Sequence, residues 1–265
     1  MTIIFGPAGL GPVKTAVKTL EQYHKLGLRA CEIAFTYSVY IKEGECTMIR
    51  EKAEELGIEL SIHAQYFVNL NSSEKVKKEA TKKRILDCCR IGELLGVKVV
   101  VFHPGYYTDK GDTPEKREQS YQAIKEGILE ILQDIKKKGW KIQIAPETMG
   151  KVNVFGSVEE ISRLVKETGC AFCIDFAHIL AREKSVDYQA IEQAFPEKEW
   201  HVHFSGIVYG EKGEKHHIPT ERKAWKELLE HLPKDRKIRI VNESPSMIED
   251  SVEGMKIYEK MQRLL

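Results

Sequence analysis

The sequence predicts an α/β fold, a single (β/α)₈ TIM barrel, and three observations support that expectation. Short apolar, β-branched runs alternate with longer amphipathic stretches rich in Lys and Glu, as in βα units repeated around a parallel sheet. About eight such units fit along the chain. No Gly-rich phosphate turn follows the first run, because Gly6-Pro7-Ala8-Gly9 does not match the dinucleotide fingerprint, and this favours a closed barrel over an open doubly wound sheet.

In chain order, the apolar run Ile3–Gly6 reads as the first strand, and the amphipathic stretch Pro12–Leu26, stopped by Gly27, as the first helix. Strand Ala30–Ala34 leads to helix Glu45–Leu56, stopped by Gly57, and strand Glu59–His63 to helix Ser73–Leu95, stopped by Gly96. Strand Lys98–His103 precedes helix Pro114–Lys138, stopped by Gly139; strand Lys141–Ala145 precedes helix Val158–Thr168, stopped by Gly169. The last three units are Ala171–Asp175 with Tyr188–Ala194, Trp200–Phe204 with Thr220–Leu232, and Ile238–Glu243 with Ile248–Leu265.

A chain of 265 residues, 42% hydrophobic and 31% charged, can bury one large core, so one domain over residues 1–265 is expected. No apolar run approaches the roughly 18 residues needed to span a bilayer, and no basic-then-apolar leader opens the chain. A cytoplasmic protein, monomeric and without a membrane or protein partner, is the corresponding expectation. The six cysteines lie in apolar or helical surroundings and read as reduced thiols. The Cys170-x-x-Cys173 pair falls along a strand, which is neither a redox elbow nor a zinc knuckle. A formal net charge of +1 leaves no global electrostatic signature for nucleic acid, so any such contact must come from local patches.

His63, His103, Glu147, Asp175, His203 and Glu243 fall at or just beyond the ends of six successive strands. In a barrel those ends converge on the face that carries the active site. His178 follows Asp175 by three residues, and Glu214 with His216 lies in the loop after the seventh strand. Nine candidate ligands exceed what one ion needs, which points to two or three ions sharing a bridging carboxylate such as Glu147. His201 shares a strand face with His203 one layer deeper, and His217 adjoins His216; both read as partners orienting a ligand ring.

The segments around these residues, His63-Ala-Gln-Tyr66-Phe-Val-Asn69, Val101-Phe-His103-Pro-Gly105, Ile144-Ala-Pro-Glu147-Thr, Cys173-Ile-Asp175-Phe-Ala-His178, His203-Phe-Ser, Glu214-Lys-His216-His and Asn242-Glu243-Ser-Pro245, resemble in order the motifs of the endonuclease IV family of apurinic/apyrimidinic endonucleases. The resemblance implies a barrel with three zinc ions, manganese being admissible in part, that cuts double-stranded DNA on the 5′ side of an abasic site and leaves a 3′-hydroxyl. By the same resemblance His63 and His103 would hold the first ion and Glu147 would bridge it to the second. Asp175, His203 and Glu243 would complete the second, and His178, Glu214 and His216 would bind the third. Glu147 would also be the catalytic residue that orients the attacking water, and Tyr66 a wedge entering the duplex.

The chain departs from the bacterial pattern in having Glu214 for Asp and Thr148 for Asn after Glu147. Its loop Phe35-Thr-Tyr37-Ser-Val-Tyr40-Ile-Lys42 lacks the Arg-Gln pair pressed into DNA, and Tyr37, Tyr40 and Lys42 stand as substitutes for stacking and phosphate contact. Lys110, Lys151, Arg182, Lys212 and Lys215 are further candidates for phosphate contact. The competing reading is a metal-dependent sugar isomerase or epimerase on a similar barrel. Such sites use two Glu, an Asp and a His around one ion, and have no need of His63, His178, Glu214 and His216 together.

Overall fold

The computed structural model describes residues 2–264, and their strands form the expected barrel. In chain order they are β1 (Thr2–Pro7), β2 (Ala30–Ala34), β3 (Glu59–His63), β4 (Val99–Phe102), β5 (Gln143–Pro146), β6 (Cys173–Asp175), β7 (Glu199–Phe204), β8 (Gly206–Gly210), β9 (Gly213–Ile218) and β10 (Lys237–Asn242). Two parallel arcs, β1-β10-β7-β6 and β2-β3-β4-β5, make up the barrel wall, and β8 and β9 form a separate antiparallel hairpin.

The arcs meet at two seams. At one, a parallel bridge joins Glu147 to Cys173, and the Thr148 N–H donates to the Cys173 carbonyl at 3.0 Å. At the other, the Arg29 N–H donates to the Phe5 carbonyl at 3.0 Å. Gly6 is what lets β1 approach β2 there: a Cβ at this position would lie 1.7 Å from the Ala30 carbonyl oxygen.

The helices are α1 (Ala16–Lys25), α2 (Glu43–Leu56), α3 (Lys75–Leu95), α4 (Pro114–Lys137), α5 (Val158–Thr168), α6 (Phe176–Glu183), α7 (Tyr188–Ala194), α8 (Arg222–His231) and α9 (Met247–Gln262). The five glycines read as helix stops all have positive φ, as a left-handed cap requires. Two elements depart from the sequence reading. Helix α6 begins directly after Asp175, where Phe176, Ala177, Ile179 and Ala181 continue the apolar run of β6 and hide the boundary. The β8–β9 hairpin occupies the polar, glycine-bearing stretch before α8, where the sequence predicts no strand. The last expected helix ends at Gln262, and its final residue, Leu265, lies outside the described residues. Among the described residues no helix is long and apolar enough to cross a membrane.

Two apolar clusters fill the fold. The larger lies between strands and helices and includes Phe5, Phe204 and Trp225, whose rings pack edge to face with centroids 5.9 Å and 4.9 Å apart. The smaller, Val99, Val101, Ala145 and Cys173, holds inward-facing residues of β4, β5 and β6. Because side chains alternate along a strand, the inward positions of the other strands include Glu32, Ser61, His63, His201, His203 and Arg239. A barrel interior is ordinarily filled by branched apolar side chains; here these inward positions are polar, and His63 and His203 among them stand at or next to the ends of β3 and β7. All six cysteines are buried and free, as the reduced reading expects.

Candidate metal centre

Glu147 is the hub. It follows β5, is 1% exposed, and its two oxygens face four imidazoles. Oε2 lies 3.2 Å from His63 Nε2 and 3.2 Å from His103 Nε2; Oε1 lies 3.1 Å from His203 Nδ1 and 3.4 Å from His178 Nδ1. Burial alone would raise this carboxyl, but the imidazoles of His203, His103 and His178 outweigh it and hold Glu147 well below the usual carboxylate range. The same contacts act in reverse on the rings. Burial would lower the His63 imidazole, yet its hydrogen bond to Glu147 pushes it up to about 9. His178, beside Asp175 and Glu147, is raised well above its ordinary value for the same reason.

The other nitrogen of several rings is already committed. A carbonyl can only accept, so His63 Nδ1–H donates to Ala64 O at 2.7 Å and His178 Nδ1–H to Thr148 O at 3.0 Å. This leaves His63 Nε2 directed at Glu147 and His178 Nε2 at Glu214 Oε2, 3.5 Å away. Rings fixed from behind, with the free nitrogen aimed at carboxylates, are the arrangement of metal-ligating histidines. Asp175 caps α6 by accepting the His178 N–H at 2.7 Å through Oδ1, while its buried Oδ2 makes no hydrogen bond and has the His178 Nδ1 at 3.4 Å. An orphaned buried carboxylate oxygen is costly unless a cation satisfies it, so the donor set fits divalent ions.

Three groups of donors converge within 4.8 Å at this end: His63, His103 and Glu147; Glu147, Asp175, His203 and Glu243; and His178, Glu214 and His217. Glu147 belongs to two of them. A fourth group shares His203 with the second and adds Cys173 and His201 from one strand layer deeper.

The third group corrects one expectation. His217, not His216, stands with His178 and Glu214; its ring centroid is 5.4 Å from that of His178, and its Nδ1 is 2.6 Å from Ser205 Oγ. Strict alternation along β9 would put Glu214 and His216 on one side, but the pairing shifts between Val208 and Tyr209: Tyr209 faces Glu214 while Val208 faces His216. Lys215 is thus an extra residue in the strand, the phase of alternation flips, and His216 turns to solvent. His217→Ala is expected to cost about one bound ion per chain, with His216→Ala near wild type; metal analysis of the two proteins after dialysis against one buffered zinc concentration checks this.

A cleft of about 910 Å³, counting its open mouth, leads down to these groups and is lined by Tyr66, His103, Tyr106, Lys151, His178 and Glu214, among others. Tyr66 is 49% exposed, its ring centroid 5.5 Å from those of both His63 and His103. Tyr37, Tyr40 and Lys42 do not line the cleft: Tyr37 is 82% exposed on the segment after β2, and Tyr40 packs edge-on against Phe35 with its hydroxyl donating to Gly11 O at 3.3 Å. Lys42 is exposed and precedes α2. Arg182 is no surface cation; it is buried, and its guanidinium donates to Lys151 O at 2.7 Å, Val154 O at 2.9 Å and Tyr107 Oη at 3.1 Å, bracing the loop beside the cleft. Thr148, in the position after Glu147, accepts the Asp175 N–H at 2.8 Å and so ties two ligand-bearing strands together. The sequence reading missed Glu32 and Ser61, whose signal is a polar residue at an inward position of an otherwise apolar strand.

A family model described as Xylose isomerase-like TIM barrel matches residues 20–262. An uncharacterized protein of Methanocaldococcus jannaschii is 33% identical, with 98% of each chain covered. The apurinic-apyrimidinic endonuclease of Caenorhabditis elegans is 26% identical over 66% of this chain, which spans 47% of that protein. Among solved structures, endonuclease IV from Thermus thermophilus superposes with a TM-score of 0.68 at 21% identity, covering all of both chains. D-psicose 3-epimerase from Clostridium cellulolyticum superposes with a TM-score of 0.67 at 15% identity, covering 99% of this chain and 98% of that one. At these identities the superpositions establish the fold.

Proposed function

The chain belongs to the Xylose isomerase-like TIM barrel family, and within it we propose that this protein is a metal-dependent endonuclease that hydrolyses the phosphodiester bond 5′ to an abasic site in double-stranded DNA, leaving a 3′-hydroxyl. One observation carries the reading. The set Glu147, Asp175, His203 and Glu243, two Glu, an Asp and a His, would satisfy a one-ion sugar isomerase, but His63 and His103 share Glu147 with it, and His178, 3.4 Å from both Glu147 Oε1 and Asp175 Oδ2, stands with Glu214 and His217. Proton transfer on a ketose has no use for those two extra groups, whereas phosphodiester hydrolysis does. Zinc ions, three per chain, would supply a nucleophile from water at neutral pH and neutralise charge on the phosphoryl oxygens.

The protein's own part is positional. Glu147 ties the first two groups through its separate oxygens and is the group placed to orient the attacking water. His63, His103, Asp175, His203 and Glu243 would hold the first two ions together with it, and His178, Glu214 and His217 would hold the third. Tyr66 stands over His63 and His103 as a half-exposed ring, suited to fill the gap left where a nucleotide without a base is turned out of the stack. Lys151 at the cleft rim and the exposed Lys42 and Tyr37 farther out offer phosphate contact and stacking.

Replacing Tyr66 by Ala is expected to lower the preference for abasic over intact duplex roughly tenfold, the usual scale of one stacking contact, without altering metal content. Competition binding with the two duplexes measures this; an unchanged preference removes the wedge role. The reading as a whole is tested by metal-dependent incision of a duplex carrying one abasic-site analogue, with ketose turnover as the counter-assay.

A further inference from the structure

Below the metal-centre layer the barrel holds a carboxylate that nothing above employs. Glu32, at the middle of β2, is 0% exposed and faces inward among side chains of β3 and β7. Its Oε2 accepts from Ser61 Oγ at 2.8 Å and lies 2.9 Å from His201 Nε2. Its Oε1 lies 2.9 Å from His203 Nε2, an ion-pair approach not aligned as a hydrogen bond. Taking a carboxylate out of water is costly even when polar partners surround it, so its retention in a barrel core calls for a role.

We infer that Glu32 is a positioning residue that locks the His203 ring with its Nδ1 directed at the metal centre, which makes the ion held by Asp175, His203 and Glu243 the one whose affinity depends on a residue of strand β2. The inference rests on the reading of His203 as a metal ligand. The carboxylate charge 2.9 Å from Nε2, a nitrogen that also lies 3.3 Å from His201 Nε2, favours the ring proton on that side by electrostatics and leaves the Nδ1 lone pair facing Glu147 Oε1 at 3.1 Å and Glu243 Oε1 at 3.4 Å.

His201 steadies the carboxylate from the other side. Arg239 Nη1 donates to His201 Nδ1 at 3.2 Å; a guanidinium cannot accept, so the neutral ring carries its proton on Nε2 and presents it to Glu32. Arg239 is itself paired with Glu59 at the opposite end of the barrel. The line Glu59–Arg239–His201–Glu32–His203 therefore runs up the interior and ends on one ligand. It also argues against an ion among Cys173, His201 and His203, because the His201 nitrogen facing that group bears a proton rather than a lone pair.

Full-length metal-free protein and its Glu32→Gln variant are titrated with cobalt(II) against a competing chelator, following the visible absorption of the bound ion. The Gln amide keeps the shape but turns an NH₂ toward one of two N–H groups. The expected result is one cobalt site weakened roughly 10- to 100-fold with the others unchanged, and Glu32→Asp, which keeps the charge, recovering part of that loss. Ser61→Ala, which removes one donor from the same carboxylate, shifts the same site by less and serves if Glu32→Gln does not fold. Equal affinity at every site in Glu32→Gln, uniform weakening of all sites, or loss of an ion on Cys173→Ser overturns the inference. Wild-type protein that takes up no cobalt at a His203 site overturns instead the metal-centre reading on which it rests.

Discussion

Glu147→Gln is expected to abolish incision, by at least about a thousandfold, and to strip ions from two of the three groups. The side chain keeps its volume, so no cavity opens, but a carboxylate that faces four imidazoles from two oxygens becomes an amide with one acceptor and one donor. Its NH₂ then meets either His63 Nε2 and His103 Nε2 or His203 Nδ1, nitrogens whose lone pairs would otherwise be offered to the ions. Loss of the shared ligand removes several kcal/mol of transition-state charge stabilisation, and each 1.36 kcal/mol is a tenfold in rate. Metal analysis with single-turnover incision checks both halves. Full metal content with lost activity would limit Glu147 to orienting water; retained activity would remove it from the centre.

Gly6→Ala is the second large effect, and it acts on the fold. The added Cβ would meet a main-chain carbonyl, Ala30 O at 1.7 Å, with the Ala30 carbonyl carbon at 2.2 Å. Backbone on both sides of a seam cannot turn aside as a flexible side chain can, so β1 must separate from β2 or shift register. A destabilisation of about 3 kcal/mol or more is expected, lowering the thermal midpoint by roughly 6–12 °C in a chain of this size. Gly44→Ala is the control. Gly44 sits in the first turn of α2 with nothing within 4 Å of its Cβ position, and the exchange should be neutral or stabilising by up to about 1 kcal/mol.

Most of the candidate donor residues are legible in the sequence because strands announce themselves. Short apolar runs give the strand ends, and an acid or imidazole at each end is visible without knowing how the strands pair; His63, His103, Glu147, Asp175, His203 and Glu243 were all found this way and do converge. The sequence points to His216, whereas the structure brings His217 to His178 and Glu214, because a bulge changes which residues share a face and the inserted Lys215 has no composition that marks it. Glu32 went unseen for a related reason: between Cys31 and Ile33 it reads as one charged residue in an apolar strand, and only the closed barrel brings it to His201 and His203. Helix α6 was hidden because the Asp that ends a strand is also the cap that starts the helix. The segment Phe35–Lys42 was placed by its resemblance to a DNA-contacting loop, yet it stands apart from the cleft, since Tyr40 is drawn onto Phe35.

The central claim is that these three donor groups serve phosphodiester hydrolysis. It is tested most directly by incubating the zinc-loaded chain with a duplex oligonucleotide bearing one abasic-site analogue, beside intact duplex and chelator-treated protein. The account predicts a single nick 5′ to the lesion with a 3′-hydroxyl end, absent from both controls. A chain with its ions bound that leaves every such duplex uncut but interconverts ketose sugars would contradict it.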